Sequence, residues 1–290
     1  MASALRVGLL GAGPWAKMAT GPVLAAGPET VVAGVWSRTG AHAEELAAQL
    51  HATAFATVDA LLDACDAVAI AVAPAAQPEL AVRAANAGKA LLLEKPLGAD
   101  VSGAAAVVDA VHATGVGALV MLSNRFHPAL DDFIAAAALA EPLGGRGSFV
   151  SGAFLGGPYA YGWRLERGAV LDVGPHLLDL LEAGLGEVVD VQAAGDRLGW
   201  VSLLCRHASG VTSSGALCCS AAGEGGTEVV VYGRRGNARF DGSQVDYGAW
   251  PARVRRDFAA VARGGTHPAS VDHAFHLQKL IAEIESQLTE

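Results

Sequence analysis

Cysteine is scarce in this chain of 290 residues, at four: Cys65, Cys205, Cys218 and Cys219. No C-x-x-C spacing occurs, and the adjacent pair points to opposite faces of a strand, so neither a metal centre nor a disulfide framework is expected. Lysine is equally rare. Lys17, Lys89, Lys95 and Lys279 stand among 20 basic residues, the rest being arginine. Positive charge falls short overall, with a formal net charge of −9, which argues against nucleic acid or an anionic membrane as partner. No apolar run reaches the ~18 residues of a membrane span. Met1-Ala2-Ser3-Ala4-Leu5-Arg6-Val7 has neither the basic start nor the cleavage site of a signal peptide. A reduced, cytoplasmic setting is expected.

What the chain has is apolar residues and glycine. At 52% apolar and 17% charged it suits wide helix–sheet contacts, and its length favours two domains over one core. Over the first ~120 residues strand and helix patterns alternate, as βαβ units do. Val7–Leu10, Val31–Trp36, Ala67–Ala73, Ala90–Glu94 and Ala118–Leu122 read as strands, with helical segments near 15–26, 40–50, 75–88 and 100–114. Such alternation implies a doubly wound parallel sheet with helices on both faces. After residue ~125, Gly147–Phe154 reads as a strand and Ala169–Leu185 as a helix ended by Gly184 and Gly186. The alternating runs 187–193, 200–207, 211–220, 227–232 and 238–240 then give a large, mostly antiparallel open sheet, followed by a last amphipathic helix over 271–289. The expected division is 1–122 and 123–290, with the last helix able to pack back on the first domain.

Three motifs carry the chemistry. Gly11-Ala12-Gly13-Pro14-Trp15-Ala16 follows the first strand and opens the first helix, a G-x-G-x-x-A loop. Its glycines make the turn and admit a pyrophosphate to backbone amides, and the helix N-terminus adds partial positive charge. At the end of the second strand a carboxylate would mark NAD. Here stands Ser37-Arg38-Thr39, which suits the 2′-phosphate of NADP, although an arginine there can also be an ordinary surface cation. The second motif, Glu94-Lys95-Pro96, ends the fourth strand, because proline cannot continue it. Where arginine is the default cation, a lysine at a strand end suggests a need for an amine, whose pKa can shift toward neutrality. The third places Asp172 and His176 four apart at a helix start, able to share one face and relay a proton. Pro175 is tolerable there if it falls in the first turn. A helix-start acid and a packed histidine fit the same residues.

The order and separation of these motifs resemble those of the Gfo/Idh/MocA oxidoreductase family over nearly the whole chain. The resemblance implies a Rossmann domain followed by an α/β domain whose open sheet face forms a homodimer or homotetramer interface. It implies that Lys95, Asp172 and His176 line the catalytic site. Asn124-Arg125-Phe126-His127-Pro128 resembles the family segment after the last Rossmann strand, and Trp163-Arg164 the pair before the catalytic helix, which implies substrate contacts from Asn124, Arg125, His127, Trp163 and Arg164. Cofactor contacts are implied for Ala73, Pro74, Gln77, Glu94 and Lys95. Two departures border the cleft: Ala73-Pro74-Ala75-Ala76-Gln77-Pro78 is about one residue short and lacks the family histidine, and the stretch between Trp163 and Gly168 is trimmed. The expected activity is NADP- or NAD-dependent hydride transfer to or from a secondary alcohol of a small-molecule sugar, cyclitol or polyol, without metal. A reductase of an imine or enal, a glycosidase-type enzyme that retains its NAD, and a non-catalytic dinucleotide sensor are the alternatives.

Overall fold

Short apolar runs buried on both faces give the first sheet. The computed structural model describes residues 3–157, 159–223, 225–244 and 248–288; Met1-Ala2 and Thr289 of the expected elements lie outside them. Strands β1 (Leu5–Leu10), β2 (Thr30–Trp36), β3 (Thr53–Ala54), β4 (Ala67–Ile70), β5 (Ala90–Leu93) and β6 (Ala118–Val120) run parallel in the order β3-β2-β1-β4-β5-β6. This order reverses between β1 and β4, where doubly wound sheets open a crevice at their carboxyl ends. Helices α1 (Gly21–Ala25), α2 (Gly40–Gln49), α3 (Val58–Asp63), α4 (Gln77–Asn86) and α5 (Val101–Thr114) connect the strands. Three strands stop earlier than their apolar runs suggest, β4 at Ile70, β5 at Leu93 and β6 at Val120, because the chain turns away once its neighbour ends. β3 and α3 fill a stretch without strong periodicity; Thr57 caps α3 by accepting from the Ala60 amide at 3.2 Å. Ahead of α1, Ala16–Thr20 is a π-helical turn closed by Gly21 N–H donating to the Ala16 carbonyl. Pro22 has no N–H to offer one turn back, and the wider turn accommodates it.

The second sheet is built on β7 (Pro142–Val150), which follows α6 (Pro128–Leu139). After α7 (Trp163–Leu185) come β8 (Val188–Gly195), β9 (Val201–His207), β10 (Thr212–Cys218), β11 (Gly226–Gly233) and β12 (Gly236–Asp241), and last α8 (Trp250–Val261) and α9 (Val271–Gln287). The order is β12-β11-β7-β10-β9-β8, parallel only between β7 and β10. β7 starts five residues before the expected 147, through glycines that disfavour strand alone; its two neighbours and α7 impose it. Gly145 and Gly147 leave room for α7, since a Cβ on either would lie 2.8 Å from Leu185 or Leu177. Gly184 does not end α7 but admits Phe133 of α6; Gly186, at φ 88°, is the stop. The opposite sheet face has no helix packed on it among the described elements. It carries Leu204 and Tyr232 among the ion pairs Arg146–Glu228, Arg239–Glu228 and Arg206–Asp190.

The chain divides into two compact units, 1–121 with 248–275 and 122–247 with 276–290. Residues 248–275 thus belong with the first unit rather than with the 123–290 range. The return is fixed by long-range contacts that no local pattern encodes. Arg255 of α8 donates to Glu29 Oε2 and to the Val23 carbonyl, each at 3.1 Å, and Gly117 leaves space for the Val261 carbonyl. Among the described residues no helix is long and apolar enough to cross a membrane.

All four cysteines are buried, and none is in a disulfide. Burial pushes the Cys205 thiol up to about 11, so it stays protonated and inert.

In the second unit Glu182 accepts from His276 Nε2 at 2.7 Å and from the Val188 amide at 2.9 Å. The Glu182 hydrogen bond raises the His276 pKa, against the lowering effect of burial. A raised folded value means the contact stabilises fully below the unfolded value of about 6.5 and is lost as pH rises through the folded one. Urea unfolding of His276→Gln should therefore show its largest deficit near roughly pH 6 and a shrinking one toward about pH 8.5. A deficit that does not change with pH would contradict the linkage.

Candidate active site

Every segment expected around a dinucleotide lies at the carboxyl edge of the first sheet: the loop after β1, Ser37-Arg38-Thr39 after β2, Ala73-Pro74 after β4 and Glu94-Lys95 after β5. Gly11 has φ 119°, and a Cβ there would collide with the Ala71 carbonyl, so only glycine fits. A Cβ on Gly13 would meet nothing within 4 Å. The chain thus leaves open space beside Gly13, where a pyrophosphate would approach. Arg38 is exposed and makes no hydrogen bond or ion pair among the described residues. Thr39 precedes α2, its carbonyl accepting from the His42 amide at 3.0 Å.

Across the end of β4, Trp15 Nε1 donates to Glu94 Oε1 at 2.6 Å. Glu94 is further held through its backbone. Its N–H donates to Gln77 Oε1 at 2.9 Å, and Gln77 Nε2 donates to the carbonyls of Glu94 (2.7 Å), Pro96 (3.0 Å) and Leu97 (3.2 Å). Gln77, for which the resemblance implies a cofactor contact, is buried, and its amide bonds these backbone groups. Lys95 is half-buried on this turn.

In the second unit α7 breaks at Gly168 (φ 76°, ψ −171°) and resumes at once. A Cβ there would strike the Arg197 carbonyl, so the break is fixed by the β8–β9 hairpin. Asp172 and His176 follow one turn apart, both buried. Pro175 lies in the helix interior rather than its first turn, because the Gly168 break places the helix start six residues ahead of it. Arg164 Nε donates to Asp172 Oδ2 at 3.3 Å. Its guanidinium carbon sits 4.6 Å from the Trp163 ring centre, 5.5 Å from Tyr161 and 5.7 Å from Tyr159. Burial pushes the Tyr159 hydroxyl pKa up. The two tyrosines escape motif reasoning; their signal is a dense aromatic stretch, Tyr159-x-Tyr161-x-Trp163, in a chain with only 6% aromatics. The Phe149 ring of β7 stands 6.2 Å from that of His176.

The segment after β6 carries a second arginine–carboxylate pair. Arg125 Nε donates to Asp179 Oδ1 at 2.8 Å and Oδ2 at 3.0 Å, and Nη2 lies 2.7 Å from Oδ1. Asp179 is fully buried, one turn beyond His176 on α7. Arg125, for which the resemblance implies a substrate contact, thus holds a buried ion pair to the helix. His127 is buried at the start of α6, and Asn124 is half-buried.

A doubly wound parallel sheet with a glycine phosphate loop, joined in one chain to a second unit that carries a carboxylate–imidazole pair, is the plan of a dinucleotide-dependent oxidoreductase class. Residues 5–122 match the model of the oxidoreductase family with NAD-binding Rossmann fold, and residues 128–239 that of the GFO/IDH/MocA C-terminal domain. The chain belongs to the Gfo/Idh/MocA family. It is 34% identical over 160 residues to a D-apiose dehydrogenase of Paraburkholderia graminis, covering 51% of this chain and 42% of that protein. It is 31% identical over 199 residues to a dTDP-3,4-didehydro-2,6-dideoxy-alpha-D-glucose 3-reductase of Streptomyces violaceoruber, covering 66% and 57%. The matched stretches thus span about half the length of these curated relatives. The fold is also that of GenD2 from gentamicin A biosynthesis, solved in complex with NAD, with a TM-score of 0.86 at 20% identity over 99% of this chain and 95% of that one.

Removing one partner of a buried ion pair strands the other charge. Arg125→Ala and Asp179→Ala should each destabilise the second unit by about 3–5 kcal/mol, and the double variant by less than their sum. Denaturant titration checks both, and losses below about 1 kcal/mol would show the pair to be dispensable.

Proposed function

We propose that this chain is an oxidoreductase that moves hydride between a nicotinamide dinucleotide, NADP in preference to NAD, and a secondary alcohol or ketone of a sugar, cyclitol or related polyol. The observation that carries the reading is that one chain holds both an amine-bearing turn, Glu94-Lys95, at the carboxyl edge of the dinucleotide sheet and, on a buried helix, Asp172 and His176 one turn apart. Activity on sugars in the named relatives supports the substrate class. The bound dinucleotide supplies nicotinamide C4 as hydride acceptor or donor. As the carbinol C–H leaves as hydride, His176 takes the hydroxyl proton and the carbon–oxygen double bond forms; in the reducing direction His176 returns the proton. Lys95 donates to the substrate oxygen and stabilises its developing negative charge. Asp172, held by Arg164, favours the imidazolium formed.

An absorbance screen at the nicotinamide band, with NADP and NAD against sugars, cyclitols, D-apiose and nucleotide-linked deoxysugars, tests the reading. Absence of dinucleotide binding and of any absorbance change across the panel would sink it. For cofactor choice, Arg38→Ala should weaken NADP about tenfold to a hundredfold and leave NAD nearly unchanged, the effect of one charge-assisted hydrogen bond. Equal effects on both dinucleotides would refute the NADP preference.

For catalysis, Lys95→Ala and His176→Ala should lower turnover by roughly 10²–10⁴-fold with little change in dinucleotide affinity. Asp172→Asn should cost less and shift the pH profile. Near-normal turnover in the first two variants would rule out the assigned roles.

The uncovered face of the second sheet supports assembly into a homodimer or homotetramer. Light scattering should report at least a dimer at micromolar concentration, and a monomer would overturn this.

A further inference from the structure

We infer that Gln77 is a positioning residue for Lys95, an inference that rests on the role of Lys95 proposed above. β5 ends at Leu93 opposite Ile70, the last residue of β4, so no strand continues alongside to receive the N–H and C=O of Glu94. The Gln77 side chain takes that place. A primary amide offers the same donor and acceptor as a peptide group, and Gln77 pairs with Glu94 in both senses, through Oε1 to its N–H (2.9 Å) and through Nε2 to its C=O (2.7 Å). The two hydrogens on Nε2 are shared with the carbonyls of Pro96 at 3.0 Å and Leu97 at 3.2 Å. The amide orientation is thereby fixed, since three carbonyls can only accept. Four backbone groups spanning Glu94 to Leu97 converge on one side chain that is 1% exposed. Lys95 is the residue between them, so the clamp sets where its backbone, and hence the root of its amine, is held. The clamp itself is anchored, as Gln77 opens α4.

Chemistry at this position is narrowly specified. Glutamate at 77 would keep the bond to Glu94 N–H but present carboxylate oxygen to three carbonyls. Methionine keeps the length and supplies neither donor nor acceptor. Both leave buried backbone groups unsatisfied, which favours opening of the turn.

The test uses the full-length chain and Gln77→Met, with Gln77→Glu as a second variant. Hydrogen exchange of the Glu94 amide should accelerate at least about tenfold in either variant, while the amides of Leu91 to Leu93 stay protected. NADP affinity, measured by titration with NADP itself, should change less than about threefold, because the glycine loop amides that would hold the pyrophosphate make no hydrogen bond to the Gln77 side chain. Turnover with NADP and the most active sugar of the panel should fall about tenfold or more, in kcat rather than KM. In a Lys95→Ala background, Gln77→Met should lower turnover little further, since its effect passes through the lysine. Unchanged Glu94 exchange in both variants overturns the inference. So does a Gln77→Met loss as large in the Lys95→Ala background as in the unaltered chain. Lys95→Ala compared alone with the unaltered chain tests the proposed function separately, so failure of that reading is distinguishable from failure of the clamp.

Discussion

Close approach of α7 to the second sheet is the constraint on which the placement of Asp172 and His176 depends. A helix is normally held off a sheet by the side chains that stand between them. Here the middle of the sheet is floored with glycine. Gly145 and Gly147 of β7 and Gly215 of β10 face α7, and Leu177 and Leu185 settle into the space they leave. On its other flanks α7 admits Ile281 at Gly174 and Phe133 at Gly184. A helix seated on several sides cannot rotate, so the azimuth of Asp172 and His176 is fixed by packing that neither residue takes part in.

Polar side chains then stand in for missing backbone partners or fix helices in place. Gln77 extends the pairing of β5, Glu182 caps the start of β8, and Gln287 bonds the Ala193 amide and the Val191 carbonyl of that strand's edge. Arginine does most of the joining: Arg125 to Asp179, Arg167 to Glu285, Arg164 to Asp172 and Arg255 to Glu29. The planar, always charged guanidinium suits such half-buried pairs better than an ammonium. This accounts for the imbalance between sixteen arginines and four lysines and gives meaning to an exception. Arg38, exposed and without a bond among the described residues, is a cation placed outside that structural use.

The sequence by itself determined much of the first unit and of the motif-bearing residues. Strands buried on both faces read as continuous apolar runs, and Gly11, Gly13 and Pro96 act through their own backbone, so local physics suffices for them. The i, i+4 spacing of Asp172 and His176 is likewise fixed by helix geometry alone. The tertiary structure decided what depends on partners distant in the chain. The strand over Pro142–Gly147 exists because β10 and β11 flank it. α8 belongs to the first unit because Arg255 finds Glu29, more than two hundred residues away. Arg125 bonds Asp179, and Gln77 the Glu94–Leu97 turn, contacts that their types and positions in the sequence do not announce. A polar side chain carries no mark of whether its partner is a ligand or the protein's own backbone. That is settled only when folding brings one of them within about 3 Å.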